Sequence, residues 1–129
     1  MSPITVSHPS KNGSDLSASA GLVAQYNSGA SLASSGTIAA QDIIGVILSG
    51  NTSGETNTIA VFGRCKALAG DTLTPGTHRF LTVDATSRLI PATAGKIIVA
   101  EWIGQQGGAA AAGDQVEVFV SKSYYVLDT

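Results

Sequence analysis

Charge is the first thing this chain has little of. Only 12% of its 129 residues are Asp, Glu, Lys or Arg, about half the share of an ordinary soluble domain. A surface so sparsely charged does little to discourage association, and it predicts that sister subunits or a larger assembly cover much of the outside. The plainer alternative is a β-protein rich in Gly, Ala, Ser and Thr that stays soluble through its hydroxyls. The seven basic residues are scattered from Lys11 to Lys122 and the formal net charge is −2. That pattern leaves no electrostatic footprint for nucleic acid.

Cysteine is nearly absent. A single Cys65 excludes an internal disulfide, fits synthesis in a reducing cytoplasm, and reads as a small buried hydrophobe. Aromatics make up 5% of the chain, so its 43% hydrophobic content rests largely on Ala and Val. Long apolar runs are missing too. Stretches such as Ile43–Leu48 end after one strand's worth of residues, so no membrane span is expected. No basic region followed by an apolar stretch stands at the N-terminus, and no signal peptide is expected.

What is present is a succession of short β-branched runs cut by Gly, Pro and Asp. It is clearest from Gly70 to Val120. Such spacing predicts an all-β protein, a small antiparallel β-barrel or sandwich, of one domain. In Asp114–Val120 the residues Val116, Val118 and Val120 share one face, with Glu117, Phe119 and Ser121 on the other. Both faces of Lys96–Ile103 are largely apolar, which predicts a strand between two covered surfaces. The alanines at 109–112 are flanked by glycines and too few to offset helix nucleation, so they read as a loop.

Earlier in the chain, Gly21–Tyr26, Ile43–Leu48 and Thr58–Arg64 read as strands, with Asn27–Gly36 a loop and Asn51–Glu55 a turn. In Thr58–Arg64, strict alternation puts Ile59 and Val61 on one face and Ala60 and Phe62 on the other. Met1–Ala20 has only Ile4, Val6 and Leu16 as branched apolar residues. It reads as an extended N-terminal arm, ordering on a partner or else frayed, beside a body over residues 21–129. The body's core would not miss such an arm, whose Ile4-Thr-Val6 alternation suits one short strand on a sheet edge. A faint repeat links Ile44–Phe62 to Val99–Phe119: each is a strand, a small-residue loop with an acid at its exit, and a strand ending in Val-Phe.

No chemistry emerges from the candidate reactive residues. His8 lies beside Pro9 in the arm. His78 sits in a strand pattern, with no further His, Cys or Asp at ligand spacing. Cys65 has no nucleophile signature, no serine sits in a Gly-x-Ser-x-Gly elbow, and Gly95-Lys96 runs into Ile97 rather than Ser or Thr. Glu101 and Glu117 suit neighbouring strands but read as solvated acids. Asn12-Gly-Ser and Asn51-Thr-Ser fit the glycosylation pattern only in a secreted chain. No catalytic residue, cofactor or metal is therefore expected, and the chain reads as a non-enzyme.

The order of motifs from Ile44 to Val120 carries a resemblance. It comprises Ile44-Gly-Val-Ile-Leu, Gly54-Glu55, Ile59-Ala-Val-Phe62, Ala69-Gly-Asp-Thr-Leu73 and Leu81-Thr-Val-Asp84. Arg88-Leu-Ile-Pro-Ala92, Val99-Ala-Glu-Trp-Ile103 and Ala112-Gly-Asp-Gln-Val-Glu-Val118 complete it. Over somewhat more than half of its length the chain resembles the capsid decoration (cement) proteins of tailed bacteriophages. The loop Gly70–Thr77 and the aromatic tail Tyr124–Leu127 depart from that pattern. The resemblance implies a compact β-body, often a homotrimer, on the virion capsid surface, binding the major capsid protein and stabilising the shell. The competing reading is a carbohydrate- or host-surface-binding β-domain, for which exposed aromatics such as Tyr26, Trp102 and the Tyr124-Tyr125 pair would serve. Candidate partner-binding residues are Ile4, Val6, Trp102, Tyr124 and Tyr125.

Overall fold

Nine antiparallel strands and no helix make up the computed structural model, which describes residues 3–36, 42–93, 95–104 and 108–126. They are β1 (Ile4–Pro9), β2 (Val23–Tyr26), β3 (Ala30–Leu32), β4 (Ile43–Ser49), β5 (Thr56–Leu68), β6 (Phe80–Val83), β7 (Leu89–Pro91), β8 (Ile97–Trp102) and β9 (Gln115–Val126). The sheet order is β3-β2-β4-β5-β9-β8-β6-β7, with β1 paired to β5, and the sheet curls into a half-barrel. The expected all-β class is thus the observed one.

That order conceals two matching halves. In each, a short hairpin (β2-β3 or β6-β7) lends its first strand to pair with the first strand of a longer hairpin (β4-β5 or β8-β9). The halves join through the antiparallel pairing of β5 with β9, from Phe62 opposite Ser121 to Leu68 opposite Gln115. Burial fixes the residue equivalence. Val46 pairs with Ala60 and with Val23, while Ala100 pairs with Val120 and Leu81, and all six lie in the main core. The faint sequence repeat is therefore real as topology. Its alignment of Ile44-Gly-Val with Val99-Ala-Glu is displaced, because it would place Val46 on Glu101 and so turn a buried side chain outward.

The main core fills the concave side with aliphatic side chains from both halves and with Trp102. Strand β8 is buried at every position but Glu101, as the apolar run on both its faces required. Val116, Val118 and Val120 of β9 turn inward and Glu117, Phe119 and Ser121 turn out, matching the alternation in the sequence. Two loops close one end of the core: Leu73 and Ala110 exchange backbone hydrogen bonds of 2.8 and 3.0 Å, and both are buried. The Ala109–Ala112 stretch is indeed irregular chain. His78 is not on a strand; its ring accepts a hydrogen bond from the Thr74 N–H at Nδ1, 2.9 Å away, and so fastens the turn that precedes β6.

The N-terminal segment is the main correction. Residues 3–20 do not extend away as an arm but lie against the body. Strand β1 pairs with β5 from Pro9 opposite Thr56 to Ile4 opposite Phe62. Beyond it, Leu16 is only 2% exposed, packed in a second cluster with Ala24, Ile44, Ile47 and Ile59 on the convex side of the first half. Backbone anchors hold it there: the Leu16 N–H donates to the Asn51 carbonyl at 2.9 Å. A Cβ at Gly50 would come within 1.8 Å of the Leu16 carbonyl oxygen, so the close approach requires glycine. One leucine in a polar segment proved enough because the sheet already offered it an apolar face. Strands β3 and β7 were not read as strands either; Ala30-Ser-Leu32 lacks β-branched residues and Leu89–Pro91 ends in proline, yet pairing with β2 and with β6 makes each a strand.

Candidate partner-binding face

The convex side of the sheet differs between the halves, and a bulge in β5 sets the difference. Against β1, Thr5 pairs with Ala60 and Ile4 with Phe62, leaving Val61 as an extra residue. The bulge resets the alternation. Ile59, Val61 and Phe62 all reach the convex side, followed by Arg64 and Lys66, while Cys65 and Ala67 pack on the main core. Gly63 follows with φ of +114°, and a Cβ there would approach the Pro3 Cα to 2.9 Å, so the site favours glycine twice over. Simple alternation had placed Phe62 with Ala60; the bulge is what separates them.

Register then assembles a row across β5 and three strands of the second half. Arg64 on β5 pairs with Phe119 on β9, Phe119 with Glu101 on β8, and Glu101 with Phe80 on β6. Phe62 meets Phe119 edge-on, with ring centroids 5.1 Å apart and an interplanar angle of 82°, an arrangement worth about 0.5–1.5 kcal/mol beyond burial alone. The Arg79 guanidinium lies over the Phe80 ring, 5.3 Å from its centroid. All three phenylalanines of the chain are therefore on the outside, Phe62 at 50% and Phe80 at 38% exposure.

Glu101 and Glu117, expected as isolated acids, are each paired with an arginine. Both Nε and Nη2 of Arg64 donate to Glu117 Oε1, at 3.1 and 2.5 Å, and Arg79 Nε donates to Glu101 Oε2 at 2.6 Å. With side chains this open to water, each pair contributes about 0–1 kcal/mol. The Arg79–Glu101 pair also keeps the Arg79 guanidinium over the Phe80 ring.

The expected partner-binding residues fall into three groups. Ile4, 61% exposed, stands beside Phe62 at the margin of this face, whereas Val6 is half-buried on the second cluster. Trp102 is 2% exposed and belongs to the main core, so it offers nothing to a partner. An aromatic in a run of buried aliphatics has its burial decided by strand parity, which put it with Ala100 rather than Glu101. Tyr124 and Tyr125 continue the backbone of β9, and their side chains lie outside the described residues. Sequence reasoning missed Phe62, Phe80 and Phe119 as a set, because only the cross-strand register brings them together.

Among the described residues no group of three His, Cys, Asp or Glu is placed to hold a metal ion. Cys65 is half-buried and its thiol is pushed up to about 11 by burial, which keeps it protonated and unreactive near neutrality. An open, mostly polar groove lies along the start of β9, between Arg64 and Glu117 on one side and Gly104 and Gly108 on the other.

These features define a curled, all-antiparallel β half-barrel with one convex face closed and one open. No family model matches the chain, and no curated protein matches it. Among solved structures it is similar to the N base of the head fiber gp8.5 of bacteriophage phi29. That likeness has a TM-score of 0.62 and 16% identity, over 96% of this chain and 100% of the other. At that identity the likeness shows a shared fold.

Proposed function

We propose that this chain is a structural protein of a bacteriophage virion, attached to the outside of the head. In this reading it is made in the host cytoplasm, assembles as a homotrimer, binds the major capsid protein, and acts by binding rather than catalysis. It strengthens the coat-protein shell as a decoration protein does. The observation that carries the reading is the end-to-end likeness of the fold to a phage head fiber base, spanning nearly the whole of this chain. The motif order from Ile44 to Val120 and the sparse charge point the same way. Many weak contacts repeated over a symmetric shell give firm attachment without one strong site.

The test is made on intact particles. Virions of the phage that encodes this chain, purified by density gradient, should contain it in a fixed ratio to the coat protein and bind antibodies raised against it. Its absence from purified virions, or its presence only in particles opened by denaturant, would refute placement on the head exterior.

A further inference from the structure

We infer that the open convex face formed by β5 and the second half, centred on Phe62, Phe119 and Phe80, is where copies of this chain meet. The inference rests on the self-association proposed above and assigns it a surface.

The two halves supply the argument. Ile47 pairs with Ile59 in the first half, and Glu101 pairs with Phe119 at the matching places in the second. The first pair is fully buried because the chain's own residues around Leu16 lie over it. Among the described residues no such layer lies over the second pair, and the exposed phenylalanines gather there. What seals this kind of face, where it is sealed, is this chain's own polypeptide.

Charge selects the occupant. The face carries Arg64, Lys66 and Arg79 together with Glu101 and Glu117, so both signs are present and interspersed. Both arginines already hold a carboxylate within their own chain, so a second copy can lie over these pairs without breaking either, and Lys66 is the one charge of the face outside them. A partner carrying mainly one sign would set like charges against one member of each ion pair. Aromatic rings flanked by arginine are also the composition of an interface centre. The row has a direction, with Arg64 and Phe62 at one end and Phe80 and Arg79 at the other. Copies arranged about a three-fold axis would bring one end of the row to the opposite end in the neighbour, a head-to-tail contact that closes into a ring.

Two single substitutions, Phe62→Asp and Phe80→Asp, test this in the full chain by sedimentation equilibrium across a concentration series. Each alters a side chain already exposed to water, and β-type circular dichroism with a single cooperative thermal transition would show that the fold is kept. The expected result is a trimeric parent chain and variants whose dissociation constant rises at least tenfold. A trimeric parent with equally trimeric variants would overturn this face while leaving self-association standing. A parent that stays monomeric at every concentration would overturn both. Should one variant fail to fold, the other alone decides.

Discussion

Ile59 and Phe119 hold matching places in the two halves, yet one is sealed and the other is half open. Ile59 pairs with Ile47 beneath Leu16, and Phe119 pairs with Glu101 beneath nothing else among the described residues. The contrast separates a part of the sheet that the chain covers itself from a part left half open to water.

Leu16 should therefore behave as a core residue. Leu16→Ala is expected to lower unfolding stability by about 2–5 kcal/mol, read as a fall in the urea midpoint. Deletion of residues 1–20, which would also strip β1 from β5, should lower the thermal midpoint far more. A truncated protein that melts within a few degrees of the intact one would show that the N-terminal segment is dispensable for folding.

Trp102, expected as a partner-binding residue, should behave as core, and Phe62 as a surface residue. Trp102→Ala should cost about 3–5 kcal/mol by opening a cavity in the main core. Phe62→Ser, at a half-exposed position, should cost about 1 kcal/mol, mostly the lost edge-on contact with Phe119. Paired chemical denaturation curves give both numbers, and equal losses would contradict the assignment.

Asn57 is fully buried and holds three parts of the first half together. Its Oδ1 accepts from the Asn51 N–H at 2.7 Å, while its Nδ2 donates to the His8 carbonyl at 3.0 Å and to Ser10 Oγ at 2.8 Å. Asn57→Ala leaves those groups without their partner and should cost about 1–3 kcal/mol. Amide exchange at Asn51 should accelerate with it, and unchanged protection there would count against the network.

Stability should decline in alkali through Cys65. Its thiol titrates at about 11 when folded, against a reference of 9.0, because burial disfavours the thiolate. Between those values the unfolded chain has lost the proton that the folded chain keeps, so stability is full below pH 9 and falls as pH rises toward 11. Since the thiol is only half-buried, solvent screening holds the loss below the nominal conversion of the shift. Denaturant midpoints of the parent and of Cys65→Ala, compared over pH 7–11, isolate it. A parent curve with the same pH slope as the variant would refute a burial-driven shift.

Much of the fold was legible because strand periodicity is written locally. Val116, Val118 and Val120 announced their inward face, and the doubly apolar run at Lys96–Ile103 announced a buried strand. What alternation could not reveal was a change in its own phase. The extra residue at Val61 moved Phe62 from the core side to the convex side, and with it the centre of the candidate face. Leu16 was illegible for another reason: a lone leucine among serines has no periodicity, and its burial depends on an apolar surface built by residues 8 to 43 positions further on. Pairs such as Glu101 with Arg79 depend on register across strands, a non-local quantity.

The central claim, attachment to the outside of a phage head, is most directly tested by adding purified protein to isolated heads that lack it and measuring what co-sediments. The account predicts saturable binding at a fixed number of copies per coat-protein hexamer or particle vertex, and greater resistance of the heads to heat. No binding above that of an unrelated β-protein, at micromolar concentration and physiological salt, would contradict it.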